Sequence, residues 1–235
     1  MKKVILFFSF IYSFSIVINL QAQKIALQRA DNFYNNLNYY KAIPLYEKVT
    51  KKNDNIEVLT KLGDCYRLTN NIEKAANIYE KIINSGQNNP TNIYYYSKIL
   101  ISKGDYNKAV SLLKQCKGDN RCQAFLQSIE NMPLYYKDTA NCKISKVPFN
   151  SKNNDFGPTI YTANGKEQII FVSSRLSTKL INHSDGWTGY YYNNLFVTEK
   201  KSNGKYKRVK LFSRKIQSYL NNGPVSFSSD MKKVY

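Results

Sequence analysis

The single histidine of this 235-residue chain, His183, stands two residues before Asp185, an arrangement in which a carboxylate can orient an imidazole for general-base work. No nucleophile or phosphate motif accompanies it: G-x-S-x-G, G-x-x-x-x-G-K-[ST] and G-x-G-x-x-G are all absent. A lone histidine in a polar loop reads first as a solvated side chain, so the sequence predicts no catalytic residue and no enzyme. The same loop, Leu176 to Asn194, carries the only tryptophan, Trp187, and the run Tyr190, Tyr191 and Tyr192. These rings suit either stacking on a sugar or a partner surface, or folding back over neighbouring strands. Four cysteines include no C-x-x-C pair, and with one histidine they offer no metal-ligand set, so neither a metal nor another cofactor is expected. Cys116 and Cys122 flank the turn Lys117 to Arg121 and could staple two neighbouring helices, although four thiols permit three full pairings and spacing does not choose among them.

The elements that would position any binding surface begin with a helical repeat. Aligning Ala42, Ala75 and Ala109 also aligns Ala30, Gly63 and Ser97, then Phe33, Tyr66 and Leu100, then Tyr46, Tyr79 and Leu113, at spacings of 33 and then 34 residues. Small residues where two helices cross, with large apolar ones between them at this period, are the mark of tetratricopeptide (TPR) repeats. Asn38, Asn71 and Asp105 fall in register between the two helices of each repeat, where a short polar side chain can cap the second, and Lys41, Lys74 and Lys108 follow three residues later. Residues 24–131 are therefore expected to form a TPR-like domain of three repeats, closed by a helix over Asn120 to Asn131 whose Phe125, Leu126 and Ile129 cover the apolar end. In such solenoids the first helices line a concave groove. By repeat position the candidate partner-binding residues are Gln28, Asp31, Tyr34, Lys61, Asp64, Arg67, Tyr95 and Lys98.

Pro133 is expected to end the last helix, making 132–142 a linker. From Lys143 onward the pattern changes to short strands: Lys143 to Val147, Pro158 to Thr162, Gln168 to Ser173, Leu195 to Glu199, Tyr206 to Phe212, Pro224 to Phe227 and Lys233 to Tyr235. Asn164-Gly165 and Asn203-Gly204 supply hairpin turns. One strand-turn-strand unit appears twice, with Gly157-Pro158 and Tyr161 matching Gly223-Pro224 and Phe227 at an offset of 66 residues. One hairpin cannot bury its own apolar face, so recurrence points to the blades of a radial β-structure. The expected fold class is α + β multidomain: a helical solenoid followed by a partial WD40-like β-propeller over 143–235. The second unit stops in mid-strand at Tyr235, which reads as a fragment of a longer protein.

Composition narrows the partners. Lys and Arg outnumber Asp and Glu by 35 to 16, but they are dispersed among Asn and Tyr rather than clustered, and the densest stretch, Lys200 to Lys215, alternates as a strand pair does. No nucleic acid partner is expected. Lys2 and Lys3 precede an apolar run, Val4 to Leu20, and Gln21-Ala22-Gln23 offers a small residue for cleavage, so 1–22 reads as a secretory signal peptide and the remainder has no stretch able to span a bilayer.

The order of export signal, TPR-like repeats, and then the motifs N-D-F-G-P, I-I-F-V-S-S-R, L-F-S-R-K-I and N-N-G-P-V-S-F-S-S-D resembles the front of the Bacteroidetes OmpA-family envelope proteins with WD40-like repeats, the PorE-like group. That resemblance implies a non-enzymatic periplasmic scaffold associated with the outer membrane and with type IX secretion or gliding. It implies an outer-membrane or periplasmic protein partner of the PorP/SprF type. Peptidoglycan would be reached only through a C-terminal domain that is absent here. Asp138-Thr139-Ala140 resembles the short sequon at which Bacteroidetes glycosylate exported proteins, with Thr139 the acceptor. The alternative reading is a carbohydrate-binding or glycan-processing propeller that uses the Trp187 loop.

Overall fold

The computed structural model describes residues 21–51, 54–87, 89–136, 142–163, 165–176, 184–216 and 220–235. They fall into two compact units. One comprises the described residues up to Cys142 together with Gly186–Thr188, and the other Lys143–Asp185 with Gly189–Tyr235. His183, Thr139, Asn164 and residues 1–20 of the expected signal peptide over 1–22 lie outside the described residues.

The first unit is helical. Helix α1 covers 21–35, and α2 (Tyr39–Thr50), α3 (Ile56–Leu68), α4 (Ile72–Asn84), α5 (Pro90–Ser102), α6 (Tyr106–Gln115), α7 (Asn120–Glu130) and the short α8 (Met132–Tyr135) follow. From α2 to α8 each helix packs on the next. The period fixes why: Ala30, Ala42, Ala75, Ser97 and Ala109 are fully buried, and small side chains at those points let helix axes approach. At Gly63 an added Cβ would already meet Ile78 and Tyr79 at 3.2 and 3.3 Å. Tyr46, Tyr79 and Leu113 fill the core between the crossings.

Each repeat turns in the same way. The second residue after the first helix takes a left-handed conformation, at Leu37 (φ 59°), Asn70 (φ 60°) and Gly104 (φ 83°). The next N–H then reaches back five residues along the chain to close the helix: Asn38 to Phe33 O (2.8 Å), Asn71 to Tyr66 O (2.7 Å) and Asp105 to Leu100 O (2.9 Å). Asn71 and Asp105 also cap the following helix, accepting from the backbone N–H of Lys74 and Lys108. Asn38 does not: its side chain donates to Asn36 O instead, so α2 starts without a side-chain cap. Pro133 does not end the helical region either. It occupies the first turn of α8, where the N–H that proline lacks has no helical partner to lose. A disulfide joins Cys116 and Cys122 across the α6–α7 turn, and Cys65 and Cys142 are free thiols.

The second unit holds a four-stranded antiparallel sheet in the order β1 (Asp155–Ala163), β2 (Lys166–Ser173), β3 (Asn194–Glu199) and β4 (Lys210–Leu211). Central β2 pairs on both sides and buries both faces, which explains its unbroken run Ile169–Ile170–Phe171–Val172. Ile170 and Val172 pack with Leu195, Tyr161, Val197, Phe212, Val225 and Phe227. On the opposite face Phe171 stacks against Phe149 (5.4 Å) and Phe196 (6.4 Å).

Two expected strands are not formed as drawn. Lys143 to Val147 has no strand pairing, and Ile144 is 97% exposed: its apolar residues have no sheet edge to bury against. Of Tyr206 to Phe212, only Lys210–Leu211 enters the ladder. The exposed pair Lys207-Arg208 breaks the alternation, and the Thr198 hydroxyl takes up the Lys207 carbonyl at 2.8 Å. The expected strands at Pro224 to Phe227 and Lys233 to Tyr235 meet through one bridge, Phe227 to Val234, flanked by the reciprocal bonds Ser226 N to Tyr235 O and Tyr235 N to Ser226 O.

Candidate partner-binding groove

The first helices α1, α3 and α5 carry the eight groove candidates, and most of them engage one another. Tyr46, fully buried on α2, donates its hydroxyl to Asp31 Oδ1 at 2.7 Å, and Lys61 reaches the same oxygen from α3 at 3.0 Å. One repeat later Tyr79, fully buried on α4, donates to Asp64 Oδ1 at 2.7 Å. Arg67 holds that oxygen with Nη2 at 2.7 Å, and Tyr34 donates to Asp64 Oδ2 at 3.4 Å. The Arg67 guanidinium lies 3.7 Å from the centre of the Tyr95 ring. Lys98 is exposed, with its ammonium 5.6 Å from the Tyr94 ring, and Gln28 is exposed on α1.

Burial, reinforced by the neighbouring carboxylate, pushes the phenols of Tyr46, Tyr79 and Tyr34 far above the usual tyrosine value. The shift keeps them as protonated donors at neutral pH. For Lys61, burial works against the charge, but the hydrogen bonds to Asp31 and Glu57 outweigh it and its pKa rises. Cys65, beneath this network, is pushed by burial up to about 12 and is an inert thiol. The floor is therefore a prearranged, internally neutralised lattice rather than a set of loose charges.

An open groove of about 660 Å³ lies over this floor. Of the eight candidates, Tyr34, Lys61 and Asp64 line it, joined by Asp54, Asn55, Glu57, Thr60, Gln87 and Asn89. Asp31 and Arg67 bond to the lining residues Lys61 and Asp64 without lining it themselves, and Tyr95, Gln28 and Lys98 do not line it. Spacing had not flagged the inter-repeat residues at its rim, Asn55 and Asn89, which accept from the first N–H groups of α3 and α5. Their asparagines precede Ile56 and Pro90, a helix-start signal in the sequence.

Trp187, in the short segment Gly186–Thr188 that belongs to the first unit, is 39% exposed and lies in a turn. Tyr191 is exposed and bridges to Ser184, while Tyr190 and Tyr192 are half-buried. Residues 184–191 thus form a turn closed by Asp185 N donating to Tyr190 O at 2.8 Å. Sequence reasoning missed the knot at the sheet's end: Arg175 Nη2 donates to Asp155 Oδ1 at 2.7 Å and to Phe149 O at 3.1 Å, while its guanidinium lies over Phe171 and Phe196. For Asp155, hydrogen bonds from Ser173, Ser151 and Arg175 outweigh the burial that opposes charge, so its pKa falls. Among the described residues no group of three or more His, Cys, Asp or Glu side chains is placed to hold a metal. None of their helices is long and apolar enough to cross a membrane.

Residues 69–127 match the family described as anaphase-promoting complex, cyclosome, subunit 3. Among solved structures, the C-terminal part of a TPR repeat-containing protein from Cytophaga hutchinsonii is similar at 21% identity and a TM-score of 0.40, over 47% of this chain and 45% of that one. The match thus spans under half the length of that structure. No curated protein matches. The 33- and 34-residue period, the paired helices with their recurring turn and the match over 69–127 together make the helical unit a TPR-like repeat array.

Proposed function

We propose that this chain is a non-enzymatic scaffold whose helical array holds a protein partner in the groove over Tyr34, Lys61 and Asp64. The observation that carries this reading is the prearranged floor. Side chains already fixed by neighbours lose little freedom when a ligand arrives, which is what favours binding on a repeat surface. The family resemblance supports the finer reading, an exported periplasmic scaffold at the outer membrane serving type IX secretion or gliding, with a partner of the PorP/SprF type. The wider TPR and strand organisation supports reading the sheet as one blade of a WD40-like propeller and Pro224 to Tyr235 as part of a second.

That last reading rests on a geometric regularity. Positions 66 residues apart touch: Thr159 Oγ1 donates to Val225 O at 2.7 Å, and Tyr161 stacks on Phe227 at 4.6 Å. A Cβ on Gly157, whose φ is +58°, would strike Pro224 at 2.7 Å. Equivalent positions of successive units meet face to face, as they must where blades pack around an axis.

The test is affinity capture from envelope extracts with the full chain and with the variant Glu57→Ala/Lys61→Ala/Gln87→Ala, whose side chains line the groove without forming the core. A defined outer-membrane protein held by the parent chain and lost from the variant is the expected result; identical recoveries from both would reject the groove. The glycan-binding alternative, favoured by the partial exposure of Trp187, predicts glycan-array signals that vanish in Trp187→Ala.

A further inference from the structure

The two units differ in how they treat charge. Residues 24–136 carry 16 basic and 10 acidic side chains, whereas residues 143–235 carry 16 and 5. In the helical unit four cations are engaged between successive repeats, in Lys74–Glu47, Lys81–Asp54, Lys103–Glu73 and Lys108–Glu80. In the second unit Lys200 to Lys215 holds eight basic residues and no acidic one, all eight exposed, and of these only Lys207 makes an ion pair among the described residues, with Glu199 at 2.7 Å.

Sheet register gathers these charges at one place. Ala163 pairs with Lys166 and Gln168 with Glu199, so the β1–β2 turn and the β3–β4 turn end the sheet on the same side. Lys200 continues the ladder, its N–H donating to Glu167 O and its backbone bridging Tyr206. The β3–β4 turn is held by Lys201 N to Lys205 O at 2.7 Å and by Gly204 at φ +75°. Lys166, Lys200, Lys201, Lys205, Arg208 and Lys210 thus crowd one end, against Glu167 and the already engaged Glu199. The Lys207 hydrogen bond, then the charges of Lys207, Lys166 and Lys210, draw the Glu199 pKa down. Beside the turn an open cleft of about 600 Å³ is lined by Lys205, Lys207 and Arg208 over an apolar floor of Pro148, Phe149 and Val209.

We infer that this end of the sheet docks on an anionic bilayer, its turn cations meeting the lipid phosphates and the Lys205–Arg208 cleft seating a headgroup. An end bearing two adjacent turns brings its cations to a flat surface together, and an apolar-lined cleft suits the glycerol base of a headgroup. Nucleic acid is the poorer fit, because the one aromatic ring in the turn region, Tyr206, is half-buried with its ring 4.9 Å from that of Phe149 and offers no open face for a base. The attachment is electrostatic, so it weakens as the screening length falls from about 10 Å at 0.1 M salt to about 3 Å at 1 M.

Co-sedimentation of the full chain with phosphatidylcholine vesicles, with and without phosphatidylglycerol, tests this. Binding is expected only to the anionic vesicles and to be reversed by salt. Lys201→Gln/Lys205→Gln/Arg208→Gln is expected to lower partitioning on the order of a hundredfold, while Lys41→Gln/Lys48→Gln/Lys117→Gln, the same charge loss on exposed sites of the helical unit, leaves it within about twofold. Circular dichroism melting confirms that both variants fold. Equal losses in the two variants would make net charge, not the sheet end, the cause and overturn the proposal. So would binding to neutral vesicles, or tighter binding to single-stranded DNA than to anionic vesicles at matched salt.

Discussion

Replacing Asp64 with alanine removes the one acceptor on which Tyr79, Arg67 and Tyr34 converge. Tyr79 is fully buried and its 2.7 Å bond is to an ionised group, a class of interaction that contributes about 1.5 to 3 kcal/mol. Arg67 retains the Tyr95 ring, and with 23% of its side chain exposed against 14% for Asp64, it can turn to solvent, so its share is held to about 1 kcal/mol or less. The expected loss is about 2 to 4 kcal/mol. At roughly 4 to 8 °C per kcal/mol for a domain of about 100 residues, that lowers the helical melting midpoint by about 10 to 20 °C.

The comparison variant is Asp54→Ala, whose pair with Lys81 is 59% and 50% exposed and should contribute about 1 kcal/mol at most. Tyr79→Phe alone should cost about 1.5 to 3 kcal/mol, and the double variant less than the sum, because both singles break the same bond. The third repeat already carries the double replacement: Lys98 stands where Asp64 does and Leu113 where Tyr79 does, so neither group is orphaned there. Melts followed at 222 nm decide the matter. An Asp64→Ala loss within about 0.5 kcal/mol of Asp54→Ala, or strictly additive single losses, would refute the claim that this lattice is a prearranged floor.

Three further outcomes follow from local geometry. Leu37→Gly should stabilise the array by about 0.5 to 1 kcal/mol, since a left-handed leucine costs about 1 to 2 kcal/mol and the glycine entropy offsets only part of it; chemical denaturation measures it, and Gly104→Leu at the equivalent turn should shift the midpoint the other way. Arg175→Lys should loosen the sheet by about 2 kcal/mol, because one ammonium cannot serve Asp155, Phe149 O and Ser173 Oγ at once; faster amide exchange in β1 and β2 reports it. The Tyr66 hydroxyl, followed by Lys74, holds the Glu47 carboxyl below its usual value, so this contribution is present above the unfolded value of about 4.3 and is lost as pH falls through the folded one. Urea midpoints should therefore fall less between pH 5 and pH 3 in Tyr66→Phe than in the parent chain (about 2 pH units spanning the carboxylate range).

What the sequence made legible is what repeats. The crossing positions Ala30, Ala42, Gly63, Ala75, Ser97 and Ala109 could be aligned because steric exclusion at a helix crossing allows few residue types, and each is buried. The turns were half legible: Asn71 and Asp105 cap as their type implies, but the shared left-handed residue was hidden because Leu37, Asn70 and Gly104 have little in common as side chains. The groove candidates lie on the first helices, as the period implies, while their mutual engagement was not visible, since it depends on partners such as Tyr46 and Tyr79 on the second helices. In the strand unit, alternation located β2 and β3 but overextended β4. A half-exposed strand next to a basic turn has the same pattern as the turn itself, and only pairing distinguishes them.

The periodic pairs also mark where the array changes. Glu47 and Glu80 each reach forward to the lysine of the next repeat, Lys74 and Lys108, but the third member of that series is Lys114, a cation where the ladder requires an acid. The Asp31 and Asp64 series likewise becomes Lys98, and the Tyr46 and Tyr79 series becomes Leu113. All three substitutions fall in the same repeat, and the helix that follows, α7, is held differently: by the Cys116–Cys122 disulfide, by Phe125, Leu126 and Ile129 against the core, and by Arg121 bonded to Thr91 Oγ1 at 3.0 Å. A fourth repeat would need an acid at 114 to receive its lysine. The side chains there instead favour a different kind of neighbour, so the ladder of paired charges between repeats stops at the third repeat and α7 is held by other contacts.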